Sequence, residues 1–241
     1  MTVTAQPVPI LSDNYAWLLR EDGSGAVAIV DPAEGPPIIA AIEAAGGRLD
    51  LILLTHHHGD HIAATDEVRA RFPAKVVGAA ADAHRLPKLD QAVKEGDTVA
   101  FGNASARVID TPGHTRGQIN YFFPDGEILL SGDTLFSLGC GRLSEGTPAE
   151  MFASLRKLAV LPGGTKVCCG HEYTESNARF ALSVDGGNAA LKARTEEAHR
   201  QRAAGQPTVP STMASELEAN PFLRAPDVAT FADLRAKKDK F

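Results

Sequence analysis

The stretch Thr55-His56-His57-His58-Gly59-Asp60-His61 sets four imidazoles and a carboxylate within six consecutive residues, directly behind the apolar run Leu51-Ile52-Leu53-Leu54. The apolar run reads as a buried strand. Imidazole nitrogens and carboxylate oxygens are ligands of first-row divalent metals, and a strand end holds such side chains in fixed directions. Side chains alternate along an extended chain, so His56 and His58 share one side and His57 faces the other. His56 and His58 are therefore the expected ligands, and His57 is not. A blander reading has Asp60 capping a helix that opens at His61, with the histidines solvated. It leaves unexplained the ligand-type residues that recur downstream.

Three further strand-like runs end in such residues. Ser105 to Asp110 leads into Thr111-Pro112-Gly113-His114, Glu127 to Leu130 into Ser131-Gly132-Asp133, and Lys166 to Cys169 into Gly170-His171. Strand ends gather at one edge of an α/β sheet, so His56, His58, His114, Asp133 and His171 can converge although the sequence scatters them. Upstream, Val8 to Leu11, Tyr15 to Arg20 and Ala26 to Asp31 read as an antiparallel meander. Ile38 to Ala45 reads as a helix stopped by Gly46-Gly47. Ile62 to Phe72 has a helical pattern, Lys75 to Gly78 that of a short strand, and Asp97 to Asp110 that of a hairpin. Thr147-Pro148-Ala149-Glu150 opens a helix through Leu161 with a capping box. From Tyr173 onward strand signals stop, and helical segments alternate with breaks such as Gly186-Gly187 and Gly205-Gln206-Pro207. A domain over residues 1–172 followed by a helical one over 173–241 is expected.

The chain has 241 residues, 44% hydrophobic and 22% charged, with a formal net charge of −6. It is long enough to bury a large core. The negative charge speaks against nucleic acid as the partner, because phosphate binding wants an excess of Lys and Arg. Cys140, Cys168 and Cys169 have no C-x-x-C spacing, which excludes a thiolate zinc site and fits a reducing, cytoplasmic setting. No run is long enough to span a bilayer and no secretory leader is visible. A monomer or weak homo-oligomer is expected.

The H-x-H-x-D-H cluster with its isolated His, Asp and His resembles the metallo-β-lactamase superfamily. Gly170-His171-Glu172-Tyr173-Thr174, Gly139-Cys140-Gly141-Arg142 ahead of Glu145-Gly146-Thr147, and Asn220-Pro221-Phe222-Leu223-Arg224 are similar to the glyoxalase II family. The resemblance implies an αβ/βα four-layer sandwich with a small C-terminal helical domain and two divalent metals at one edge. His56, His58 and His114 would hold the first metal, Asp60, His61 and His171 the second, and Asp133 would bridge them. Zinc is expected, and this donor set also suits iron or manganese. Two cations lower the pKa of a shared water toward neutrality, and the resemblance implies that the reaction is hydrolysis of S-D-lactoylglutathione, or another 2-hydroxyacylglutathione, to glutathione and the hydroxy acid. This is the second step of methylglyoxal detoxification, with Asp60 and Asp133 as catalytic residues.

The resemblance also assigns glutathione binding to Arg142, Tyr173, Arg235 and Lys238. Arg235 and Lys238 lie three apart, on one helical face. Without the family, the basic chain end would read as a helix-dipole complement. At Leu143-Ser144 the chain departs from the pattern, since many family members carry two aromatic residues there; the hydroxyl that would touch glutathione is missing at Ser144. His84 and His199 read as ordinary, and Asp31 and Cys140 as candidate supports of the ligands. The closest alternative is a single-iron glutathione-persulfide dioxygenase, which would lack the full second ligand set and the helical tail; a hydrolase of another acyl thioester is a further one. A purely structural metal site would be closed and four-coordinate.

Overall fold

The computed structural model describes residues 2–241. Two six-stranded sheets face each other. The first holds, in spatial order, β1 (Val3–Ile10), β2 (Asn14–Glu21), β3 (Val27–Val30), β4 (Leu51–Leu53), β5 (Lys75–Ala79) and β6 (Gln91–Val93). β1 to β3 are antiparallel, as the meander predicts, and β3 to β6 are parallel. The second sheet runs β7 (Thr98–Phe101), β8 (Ala104–Asp110), β9 (Ile119–Phe123) and β10 (Ile128–Gly132), then β13 (Lys166–Cys169) and β14 (Ser211–Thr212). A small hairpin, β11 (Leu135–Phe136) with β12 (Gly139–Cys140), leaves the end of β10.

Strand side chains alternate between two buried faces. Tyr15, Trp17 and Leu19 of β2 point into the core between the sheets, where they meet Tyr121 and Phe123 of β9 and Ile128 and Leu130 of β10. Ala16 and Leu18 point the other way, into a second core under α1 (Gly35–Ala44), α2 (Gly59–Ile62) and α3 (Thr65–Arg71). Phe122 and Leu129 face outward from the second sheet, under α4 (Pro148–Ala159), α7 (Met213–Ala219), α8 (Pro221–Arg224) and α9 (Val228–Lys238). Helix, sheet, sheet, helix is the four-layer sandwich that was expected. Each fully buried aliphatic side chain contributes about 1.5–3 kcal/mol, so three contiguous cores fix the strand ends rigidly.

Several local expectations change. The pattern from Ile62 to Phe72 is interrupted between α2 and α3, where Ala64 N donates to the Pro32 carbonyl at 3.0 Å. Strands do not stop at Tyr173. β14 pairs antiparallel with β13, so the C-terminal part, which otherwise comprises α5 (Thr174–Asp185), α6 (Ala189–Ala203) and α7 to α9, shares a sheet with the rest. Two-residue strands carry too little periodicity to be read from sequence. The capping box at Thr147 and Glu150 forms as expected. Asn220, in the Asn-Pro-Phe-Leu-Arg motif, donates to the carbonyls of Phe136 at 3.2 Å and Gly139 at 3.0 Å, which pins the β11–β12 hairpin to the helical tail.

Candidate metal centre

Hydrogen bonds between the sheets bring the strand ends together. Trp17 Nε1 donates to the Cys169 carbonyl at 2.8 Å, and Tyr121 Oη to the Leu54 carbonyl at 3.0 Å, one residue ahead of the histidine run. Ile119 N donates to the Thr55 carbonyl at 3.0 Å and Tyr15 N to the Gly170 carbonyl at 2.8 Å. The end of β4, the loop after β8, the end of β10 and the end of β13 thus meet at one edge.

Two compact donor groups result, His56 with His58 and His114, and Asp60 with His61 and His171. Asp133 lies between them: one oxygen is 3.4 Å from His61 Nε2, and the other is 3.5 Å from His114 Nε2 and 3.3 Å from His171 Nε2. All seven residues named from the sequence are therefore in one cluster. His57 points away, with Nδ1 3.2 Å from Asp82, as strand alternation predicts. Asp60 sits inside the first turn of α2 and caps nothing; His58 holds the N-cap position.

The far nitrogens of four histidines are tied down. His61 Nδ1 donates to Asp31 at 3.0 Å, His171 Nδ1 to Asp13 at 3.0 Å and His114 Nδ1 to the Arg142 carbonyl at 2.8 Å. His56 Nδ1 donates to Thr55 Oγ1 at 3.0 Å, and that hydroxyl donates in turn to Asp31 at 2.7 Å. In a neutral ring with its proton on Nδ1, Nε2 turns a lone pair toward the centre. The Nε2 atoms of His61 and His171 face each other at 3.3 Å, close enough to share a proton or a cation between them. Buried His56 Nε2 and Asp133 Oδ1 have no partner. Imidazole nitrogens and carboxylate oxygens crowded this closely, His58 Nδ1 only 3.0 Å from His114 Nε2 among them, are the donor set that a divalent cation satisfies, so the residues fit a metal centre. Asp31 with His56 and His61 forms a third compact group. Its oxygens already accept from Thr55 and His61, so it orients ligands.

The carboxylates draw positive charge into the second group: burial opposes it, yet Asp133 and Asp31 raise His61 to about 9, and Asp133 raises His171. Burial opposes ionisation of Asp133, yet His61 and His171 hold its carboxyl far below the usual carboxylate range. Burial pushes His56 well down, so its imidazole is neutral. Gly170 permits the close approach: a Cβ there would lie 2.5 Å from Asp133 Oδ1 and 2.6 Å from His61 Cε1.

A cavity of about 520 Å³ opens from His114 and Asp133 toward α5 and α9. Arg142, Ser144, Tyr173, Arg235 and Lys238 line it together with Ser176, Arg179 and Phe241. The Tyr173 ring stacks on His171 at 4.5 Å, and burial raises its phenol to about 12, which leaves a hydrogen-bond donor beside the centre. Arg235 is buried; it donates to the Cys140 carbonyl at 2.9 Å and pairs with Asp239 at 2.8 Å. Lys238 Nζ donates to the Ser176 carbonyl at 3.1 Å. Cys140 lines the cavity and touches none of the ligands; Asp31 does support them. Asp13 and Thr55, which orient His171 and His56, escaped the sequence reading because Ser12-Asp13-Asn14 looked like ordinary turn chemistry.

The metallo-β-lactamase superfamily model matches residues 11–171, and the model for the hydroxyacylglutathione hydrolase C-terminus matches residues 172–241. The chain belongs to the hydroxyacylglutathione hydrolase family. Among relatives in this family, the hydroxyacylglutathione hydrolase of Acidiphilium cryptum is 58% identical over 99% of this chain and 97% of its own. That of Fuscovulum blasticum is 51% identical over the whole of both chains. Of solved structures, ETHE1 from Myxococcus xanthus superposes with a TM-score of 0.72 at 24% identity, over 98% of this chain and 90% of that one, a likeness of fold. TTHA1623 in a di-iron-bound form gives 0.60 at 30% identity over 69% of this chain and 91% of its own. For this family member the two matched models adjoin at His171–Glu172, between the last candidate ligand and the wall of the cavity.

Proposed function

We propose that the chain is a dinuclear metal-dependent hydroxyacylglutathione hydrolase, which cleaves S-D-lactoylglutathione and related 2-hydroxyacylglutathiones to glutathione and the hydroxy acid. The observation that carries this reading is the pair of donor groups around Asp133, set at the floor of a cavity lined by Arg142 and Lys238. His56, His58 and His114 would hold one cation, Asp60, His61 and His171 the other, with Asp133 shared between them. Zinc is the proposed metal; nitrogen and oxygen donors without thiolate also suit iron and manganese. When bound, such a pair supplies an acidic water at neutral pH and a Lewis acid for the thioester carbonyl.

The residues of the chain do the rest. Asp60, whose side chain is 44% exposed, accepts a hydrogen from the attacking water and fixes its direction, while Asn14 Nδ2 donates to Asp60 Oδ2 at 3.1 Å and keeps the carboxylate in place. The water gives up one proton to solvent as its oxygen adds to the acyl carbon; the carbon–sulfur bond breaks, its electron pair leaves with sulfur as glutathione thiolate, and the hydroxy acid departs as a carboxylate after losing the second proton. A thiolate is a weak enough base to leave without a general acid. Tyr173 and Arg142 bind the tripeptide near the reacting end, and Lys238, held by the Ser176 carbonyl, meets a carboxylate at the far end. Residues 1–172 act as the catalytic domain and 173–241 as the glutathione-binding one. The free thiols of Cys140, Cys168 and Cys169 suit a cytoplasmic setting. Among the described residues no helix is long and apolar enough to cross a membrane.

Steady-state hydrolysis of S-D-lactoylglutathione, with metal content measured on the same sample, tests the reading. Thioester loss with free thiol released and about two metals per chain is the expected result. A single iron with oxygen uptake on glutathione persulfide would overturn it in favour of a dioxygenase.

A further inference from the structure

One cation on the cavity wall has no part in the reading above. α5 starts beside the metal centre, where Tyr173 stacks on His171, and runs away from it. Ser176, one turn along, accepts from Lys238, and Arg179, a further turn along, lines the same cavity. Positions three apart on a helix share a face, which sets Arg179 beside the Ser176–Lys238 contact. Arg179 is exposed, and among the described residues its guanidinium has no hydrogen-bond or ion-pair partner. Arg235 differs: it is 4% exposed, with donors committed to Cys140 and Asp239.

Resting on the function proposed above, we propose that Arg179 is a substrate-binding residue that closes a two-cation clamp with Lys238 on the glycine carboxylate of the glutathione thioester, while Arg235 stays buried with its own partners. A planar guanidinium receives a carboxylate through two parallel hydrogen bonds, and the ammonium of Lys238 adds a point charge. The reach agrees. Arg179 lies six residues beyond Tyr173, about 9 Å along the helix, and an extended two-residue stretch such as Cys-Gly spans about 7 Å. Asp239, the acid nearest these cations, is engaged by Arg235 and leaves the clamp in cationic excess. Burial of Lys238, then Arg235, Arg179 and Arg142 around it, depresses its pKa, the mark of cations gathered without a counter-ion. Where Ser144 supplies no aromatic hydroxyl, charge at this end adds to Tyr173 and Arg142 in selecting the tripeptide.

The test compares two thioesters on the metal-loaded enzyme: S-D-lactoylglutathione and S-D-lactoyl-γ-glutamylcysteine, which lacks the glycine. R179Q is expected to raise KM for the first by about fivefold with kcat unchanged, the effect of one part-exposed ion pair, and to leave KM for the second within about twofold. R179K is expected to recover only the part of the loss that depends on charge and not on the bidentate fork, and calorimetric titration with glutathione to show the same order of affinities. An equal penalty on both thioesters, or none on the first, overturns the role of Arg179 while leaving the hydrolase reading intact. If the wild-type enzyme hydrolyses neither thioester, both fall.

Discussion

Nδ1 of His61 lies 3.0 Å from Oδ2 of Asp31, and that same oxygen accepts from Thr55 Oγ1 at 2.7 Å. One carboxylate thus orients His61 directly and His56 through the hydroxyl, so it reaches a member of each donor group. Asp31 holds a left-handed φ of 53°, a conformation that Asp and Asn tolerate better than other L residues. D31N therefore keeps the backbone and replaces one acceptor oxygen by a donor. Metal affinity is expected to fall about 10- to 100-fold, read by chelator competition, with kcat falling in parallel at limiting metal.

The four histidines of the run divide by direction. H57A is expected to retain about two metals per chain, because its ring faces Asp82 and Glu145. H58A is expected to lose the first metal, because its Nδ1 sits 3.0 Å from His114 Nε2. Metal analysis after gel filtration decides it, and equal stoichiometry in both variants would refute the ligand assignment.

Lys238 titrates near pH 8, lowered first by burial and then by Arg235, Arg179 and Arg142. A carboxylate binds the ammonium form, so proton loss from the free enzyme weakens binding. KM for a glutathione thioester is expected to be flat below about pH 7 and to rise through pH 8 and beyond, with kcat little changed. In K238M the KM is raised already at neutral pH and its rise with pH disappears.

Phe231 anchors α9: it is fully buried and meets Phe152 and Phe222 edge-on, with centroids 6.1 and 5.8 Å away. F231A removes a large ring from a packed core and is expected to cost about 3–5 kcal/mol, measured by urea unfolding. Because α9 carries Lys238, the variant also binds glutathione more weakly than its residual stability alone explains.

Much of the site was legible in one dimension. The ligands follow apolar strands within a few positions of the strand ends, and strand alternation separates His57 from His56 and His58, since both features depend only on local backbone geometry. The family resemblance then supplied the pairing of ligands with metals and the candidate binding residues. The four layers follow from strands whose two faces are both apolar, as in Tyr15 to Leu19, where successive residues enter different cores.

What sequence could not convey is which groups finish each ligand. Asp13 reaches His171 across 158 positions, and the Arg142 carbonyl reaches His114 across 28; neither residue type nor spacing marks them, because their role comes from where a turn lands. Arg179 and the true surroundings of Arg235 are of the same kind. Both are arginines on helices; α9 packs on α4 and α8 and brings Arg235 to the Cys140 carbonyl of β12, while Arg179 of α5 keeps a free guanidinium at the cavity wall. The sequence by itself determined the donors and the strands that carry them. The tertiary structure decided their orientation, because a hydrogen bond between distant segments depends on how sheets and helices pack.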